Sequence, residues 1–179
     1  MHRIIAVSLC LAAAACSGGG GEEKKAEEAQ AATIEAGQWE TSFEVTAHRV
    51  VDGTPDPALK AAAGDKETGA ACVTEADKAK PAPELFAGPG YTCQYKSDYI
   101  RNGRINASLS CTREGIEGEI MMSVQGSYTG TTFEGTVGTT TYLPGRGDFE
   151  SSRKIAGRKV APACAAEEPA AGAAGNKAG

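Results

Sequence analysis

The stretch "GQWETSFEVTAHRVV", residues 37–51, alternates between apolar and polar positions. Trp39, Thr41, Phe43, Val45 and Ala47 fall on one side, and Gln38, Glu40, Ser42, Glu44, Thr46 and His48 on the other. A period of two with one apolar side predicts a half-buried β-strand. "DGTPDPALKAAAGDK" interrupts the pattern with two prolines and several turn formers, so a loop is expected there. A short strand from Thr68 to Thr74 carries Cys72. "ADKAKPAPELFAGPG" is proline-rich and irregular, with room for one helical turn, and Leu85 and Phe86 are expected to cap the core.

The second half repeats the strand pattern. Tyr91 to Arg101 and Arg104 to Thr112 predict one hairpin, and Glu119 to Tyr128 and Thr132 to Tyr142 a second that turns at Thr129-Gly130. If Tyr128 pairs with Thr131, Val124 faces Gly135, Met122 faces Val137 and Gly126 faces Phe133. Large residues then lie over bare glycine backbone, which helps a sheet to curve. A last strand near Asp148 to Val160 leads to Cys164. No segment carries a helical period. The expectation is all-β: a single antiparallel meander of about seven strands that curls into an open or closed barrel.

Composition agrees with this and sets limits. The chain has 179 residues, 23 of them glycine, and only 6% are aromatic, which suits many short strands and turns better than a helical bundle. The formal net charge is −5 and there is no basic run, so the electrostatic footprint of a nucleic-acid binder is missing. "SGGGGEEKKAEEAQAAT" reads as a solvated tether of glycines followed by mixed charges, and "AAEEPAAGAAGNKAG" as a low-complexity tail. The expected organisation is a leader over 1–15, a flexible tether over 16–33, one β domain over 34–164 and a disordered tail over 165–179.

The leader, "MHRIIAVSLCLAAAAC", has one fixed positive charge, Arg3, followed by an apolar run from Ile4 to Ala15. That run is too short to span a bilayer but fits the apolar region of an export signal. Small residues Ala13, Ala14 and Ala15 precede Cys16, and Ser-Gly-Gly-Gly-Gly follows it. This resembles the lipobox of bacterial lipoproteins, in which the cysteine takes a diacylglycerol and becomes the new N-terminus. The resemblance implies an exported protein anchored to a membrane through Cys16. Each buried acyl methylene contributes about 0.8 kcal/mol to such anchoring. Ser17 rather than Asp after the cysteine implies the outer membrane, facing the periplasm.

Four cysteines remain in the β domain: Cys72, Cys93, Cys111 and Cys164. An even number in an exported domain predicts two disulfides. The spacing offers no C-x2-C or C-x4-C pair for zinc and no C-x-x-C redox motif, so neither metal nor cofactor is expected. On the strands flanking Asn102-Gly103, Tyr91, Cys93, Tyr95 and Tyr99 share odd parity with Ile105, Ala107, Leu109 and Cys111. A two-residue Asn-Gly turn would set odd against even. A three-residue loop, 101–103, with a bulge at Gly103 restores the match and places Ile100 opposite Arg104, Tyr99 opposite Ile105, Tyr95 opposite Leu109 and Cys93 opposite Cys111. A Cys93–Cys111 bond follows from that register, and Cys72–Cys164 by elimination.

Taken in order, Gly37-x-Trp39-Glu40, "CVTEADKAKPAPELF", the Cys93 strand ending in "NGRI", Cys111 and the terminal "GRKVAPAC" resemble one bacterial envelope family. It is domain of unknown function 3617, small exported proteins rich in β-strand, and the likeness covers roughly residues 35–164. It implies location and fold and brings no activity or catalytic residue with it.

Candidate chemistry is sparse. His48 is expected on the polar side of its strand, exposed, and no nucleophile motif accompanies it. Tyr95, Tyr99, Met122 and Phe133 are the residues expected to face a ligand if the curled sheet holds one. "RGD", 146–148, is too short to signal adhesion, and the acids Asp98, Glu114, Glu117 and Glu119 lack calcium-loop spacing. The expectation is a non-enzymatic envelope lipoprotein whose β domain binds a protein or cell-wall partner. The alternative is a carrier of a small apolar ligand.

Overall fold

The computed structural model describes residues 33–51, 59–145 and 147–164; the leader, Cys16, most of the tether and the tail lie outside them. The elements are β1 (Gly37–Val50), β2 (Lys66–Val73), a one-turn helix α1 (Glu84–Ala87), β3 (Tyr91–Arg101), β4 (Arg104–Arg113), β5 (Ile116–Tyr128), β6 (Thr132–Tyr142) and β7 (Phe149–Ala161). The strands form one antiparallel sheet in the order β2-β1-β7-β6-β5-β4-β3. Each strand keeps the neighbours of a closed up-and-down meander, because β7 pairs with β1. The break falls between β2 and β3 instead. The sheet is therefore a barrel open along one seam, and the two seam strands carry its free edges.

Residues 74–90 cross that seam and α1 plugs the interior behind it. Leu85, Phe86 and Ala87 are fully buried. Phe86 meets the edge of the Phe133 ring at 5.3 Å, and Phe133 stacks on Trp39 at 5.9 Å. Burying a side chain of this size contributes about 1.5–3 kcal/mol, so a four-residue helix with no side-chain cap is held by its packing. Glu84 serves the edge as well: its carboxylate accepts the Cys93 amide at 3.0 Å, a donor that the open seam leaves without a strand partner. The Tyr95 hydroxyl donates to the Pro81 carbonyl at 2.8 Å a little further along.

Two bulges reset which residues face inward. In β3, Tyr95 pairs with Leu109 but Ser97 pairs with Ser108, leaving Lys96 as the extra residue. The turn is thus the tight two-residue one, with Asn102 at φ 55° and Gly103 at φ 69° and Arg101 opposite Arg104. The expected three-residue loop is corrected: parity is restored at Lys96, six residues before the turn. Cys93 still faces Cys111, but Tyr99 faces Asn106 rather than Ile105. In β1 the shift falls at Thr46, so that Val45 opposes Arg153 but His48 opposes Ser151 and Val50 opposes Phe149. His48 therefore points inward, not to the polar side expected of it.

The second hairpin keeps its expected faces in a register shifted by two. Tyr128 pairs with Phe133, Met122 with Thr139, and Gly126 with Gly135. The aromatic-over-glycine contact exists, but one strand further on: Phe133 lies opposite Gly157, where a Cβ would overlap its ring. The disulfides are Cys93–Cys111, with Cα atoms 4.1 Å apart, and Cys72–Cys164, with Cα atoms 5.4 Å apart. The first pins the β3–β4 hairpin. The second ties the end of seam strand β2 to the residues that follow β7.

Candidate functional site

The interior has two unlike ends. Where β1 starts and β7 stops, Trp39, Phe86 and Phe133 fill the space between the strands. Where β1 stops and β7 starts, the inward positions include Thr139, Thr141, Ser151 and Arg153, all buried. A cavity of about 180 Å³ lies there, lined by Phe43, Tyr91, Arg113, Phe149, Ser151 and Arg153, with Glu67 at its β2 side.

Arg153 forms its floor. Its side chain leaves β7, crosses the interior and donates from Nη2 to the Ala87 carbonyl at 2.8 Å, with the Met122 sulfur 3.9 Å away. The guanidinium carbon lies 5.2 Å from the Phe43 ring centre and 5.5 Å from that of Tyr91. Among the described residues no carboxylate forms an ion pair with it. Burial pulls its pKa below the ordinary guanidinium value and Arg113 adds to the pull, while Tyr91 and Glu67 oppose it. An arginine nevertheless stays protonated. The result is a buried cation whose side-chain hydrogen bonds to protein both leave from Nη2, with two aromatic faces beside it. Arg113, from the end of β4, lies against Tyr91 with its guanidinium carbon 4.6 Å from the ring centre. Tyr91 thus packs against two cations.

The wall of this end is tied down by its own hydrogen bonds. Asp148 accepts the Leu143 amide at 2.7 Å and the Thr141 hydroxyl at 3.1 Å, and the Thr141 oxygen accepts the Phe149 amide at 2.9 Å. The aspartate of the "RGD" stretch thus closes the β6–β7 connection. His48 lies 5.3 Å from Phe149, with both ring nitrogens buried and without a hydrogen-bond partner.

The four residues expected to face a ligand do not share a cavity. Met122 and Phe133 are buried inward, Met122 beside Arg153 and Phe133 within the aromatic cluster. Tyr95 spans the seam to Pro81. Tyr99 is displaced to the outer face by the Lys96 bulge and is exposed, with Arg101 stacked on it at 4.3 Å. Sequence reading missed Arg153 and Arg113. The alternation in "FESSRKIAGRKV" does place Arg153 with Phe149 and Ile155, and an arginine on an apolar face was the available signal. Among the described residues no cluster of His, Cys, Asp and Glu is placed to hold a metal ion, and no helix is long and apolar enough to cross a membrane.

On the outer face a shallow groove of about 730 Å³ crosses β2, β1, β7, β6 and β5. Ser42, Thr68, Ser127, Thr136 and Ala156 give it a floor of small side chains, and the opposed Gly126 and Gly135 add bare backbone. Charges of both signs line it: Glu44 and Glu134 with Lys66 and Lys154.

Residues 34–164 match the family described as "Protein of unknown function (DUF3617)". No curated protein and no solved structure matches the chain.

Proposed function

The chain belongs to the DUF3617 family, and from that premise we propose that it is a non-enzymatic, membrane-anchored lipoprotein of the periplasm whose β domain binds a protein or cell-wall partner. The lipobox-like leader supports anchoring through Cys16 at the outer membrane. The observation that carries the binding reading is the outer groove. Its floor of small side chains leaves the backbone approachable over five strands, and its mixed charges favour a polar chain over a lipid.

Two measurements test this. Fractionation of cells making the Cys16→Ala variant should find the protein in the soluble periplasmic fraction instead of the membrane; unchanged membrane association rejects the anchor. For the groove, native mass spectrometry of protein purified from its own envelope should give a clean apo mass and a partner-bound species, and sedimentation with purified cell wall covers the second partner class. Ala156→Trp, which fills the groove floor, should abolish either association. A lipid-sized adduct with no partner species, in the wild type and in Ala156→Trp alike, would favour the carrier alternative.

A further inference from the structure

The cavity around Arg153 shares Phe43, Lys66 and Glu67 with the outer groove, but its two arginines belong to it alone, and it does not depend on the anchor. We propose that it is an oxyanion site, in which Arg153 and Arg113 receive the carboxylate or phosphate group of a small amphiphile whose apolar part lies against Phe149 and Leu59.

Four observations converge on it. First, Arg153 is 7% exposed, yet only its Nη2 has a hydrogen-bond acceptor among the described residues. A buried guanidinium carries five N–H donors, and leaving most of them without a charged acceptor is costly. Its remaining nitrogens are not fully buried, and Arg153 lines the cavity. Second, Arg113 lines the same space and makes no ion pair or hydrogen bond of its own among the described residues; the ring of Tyr91 holds it there. Two guanidiniums on one small cavity match the two-sided acceptor geometry of a carboxylate or phosphate.

Third, the charge is local. Arg113 and Arg153 line the cavity beside Glu67 in a chain whose formal charge is −5, while Lys66 at the rim is paired with Glu44. Fourth, Phe43, Val45, Leu59 and Phe149 make part of the wall apolar, beside the hydroxyls of Thr139 and Ser151. At about 180 Å³ the space is below the range of about 300–1,000 Å³ usual for a drug-sized ligand. It takes a headgroup and a short apolar stem, with anything longer left outside. Glu67, at the β2 side, is an internal rival for the two arginines.

The structural role of Arg153, holding the Ala87 carbonyl, does not require Arg113, and the test turns on that difference. Isothermal titration calorimetry of the full chain in a non-ionic detergent would compare hexanoate, hexyl phosphate, inorganic phosphate and hexanol. Hexanoate or hexyl phosphate should bind one to one and hexanol should not. Arg113→Gln should weaken binding about 10- to 100-fold, the loss of one charge-assisted contact, with an unchanged melting temperature. Glu67→Gln should tighten it about two- to fivefold by removing the competing carboxylate. Hexyl phosphate binding more tightly than inorganic phosphate assigns the anion to an amphiphile, and equal binding assigns a free phosphate to the same two arginines. Binding of hexanol as tight as that of hexanoate, no binding of any of the three anions, or anion binding indifferent to Arg113→Gln overturns the proposal. Arg153→Met should also abolish binding; should that variant fail to fold, Arg113→Gln and Glu67→Gln still decide.

Discussion

The two ends of the barrel interior are built from the same strands and do opposite things. At one end Trp39, Phe86 and Phe133 interlock, with Gly157 hollowed out to receive a ring. At the other, the same inward-facing rows of β6 and β7 carry Thr139, Thr141, Ser151 and Arg153. An aromatic end buries its surface against itself and needs nothing further. A guanidinium end keeps polar atoms facing a cavity. Stability is thus concentrated at one end and chemistry at the other, and mutations should separate them.

The largest effect is expected at the aromatic end. Phe86→Ala removes the centre of the plug and should cost about 3–5 kcal/mol, as for other buried aromatic truncations. Urea unfolding measures it; a loss no greater than that of a surface substitution would mean that α1 is not part of the cooperative core. Gly157→Val attacks the same place by overfilling it. Forcing Phe133 out of its rotamer should cost about 1–3 kcal/mol, and restoration by Phe133→Leu in the double variant would identify the ring as the obstacle.

The seam gives a smaller, pH-dependent effect. Burial pushes the Tyr95 phenol above its ordinary value, with Asp98 and Glu84 adding to the shift. The folded chain therefore holds this proton more tightly than the unfolded chain does. The contribution is whole below about pH 10, the ordinary tyrosine value, and is lost as pH rises towards the higher folded value. Tyr95→Phe should cost about 1 kcal/mol near neutrality, the worth of its hydrogen bond to Pro81. It should also flatten the fall in stability above pH 10; a melting curve against pH that parallels the wild type would remove Tyr95 from the account.

The smallest change in stability is expected at Arg153. Replacing it with Met relieves the desolvation of a buried cation but leaves the Ala87 carbonyl without its donor, and the two should nearly cancel, within about 1 kcal/mol. A loss as large as that of Phe86→Ala would dissolve the contrast between the two ends and make Arg153 a structural strut.

What was legible from sequence follows from what alternation can carry. The strands, the plug residues Leu85 and Phe86 and both disulfides were within reach, because a period of two and an even set of cysteines are local or countable signals. Bulges are not. Lys96 and Thr46 each add one residue to a strand, and nothing in "YTCQYKSDYIR" or "FEVTAHRVV" marks the position. Parity showed only that the β3–β4 hairpin needed an extra residue, and placing it at the turn was the natural choice. The cost of that placement was Tyr99, assigned to the wrong face. The Thr46 bulge reversed His48 in the same way. The seam was invisible for another reason: which pair of strands is left unpaired depends on the 74–90 segment packing inside the sheet, and the strand sequences do not record it. Arg153 shows the complementary limit, since its position was on the inward face all along and only its residue type disguised it.

Because β7 pairs with β1, the first strand begins beside the point where the last one stops, Gln38 opposite Ala161. Both chain ends therefore leave from the aromatic end. β1 has 14 residues, a rise of about 45 Å at the usual strand spacing, so the Arg153 cavity lies towards the far end of the domain. With a lipid on Cys16, the residues between it and Thr33 span at most about 60 Å when fully extended. Anchored there as proposed, the domain would have a default bearing, aromatic end towards the bilayer and arginines away from it. An anionic amphiphile would then arrive at the cavity from the aqueous side or from another protein, and one still embedded in the anchoring membrane would meet it only when the domain capsized.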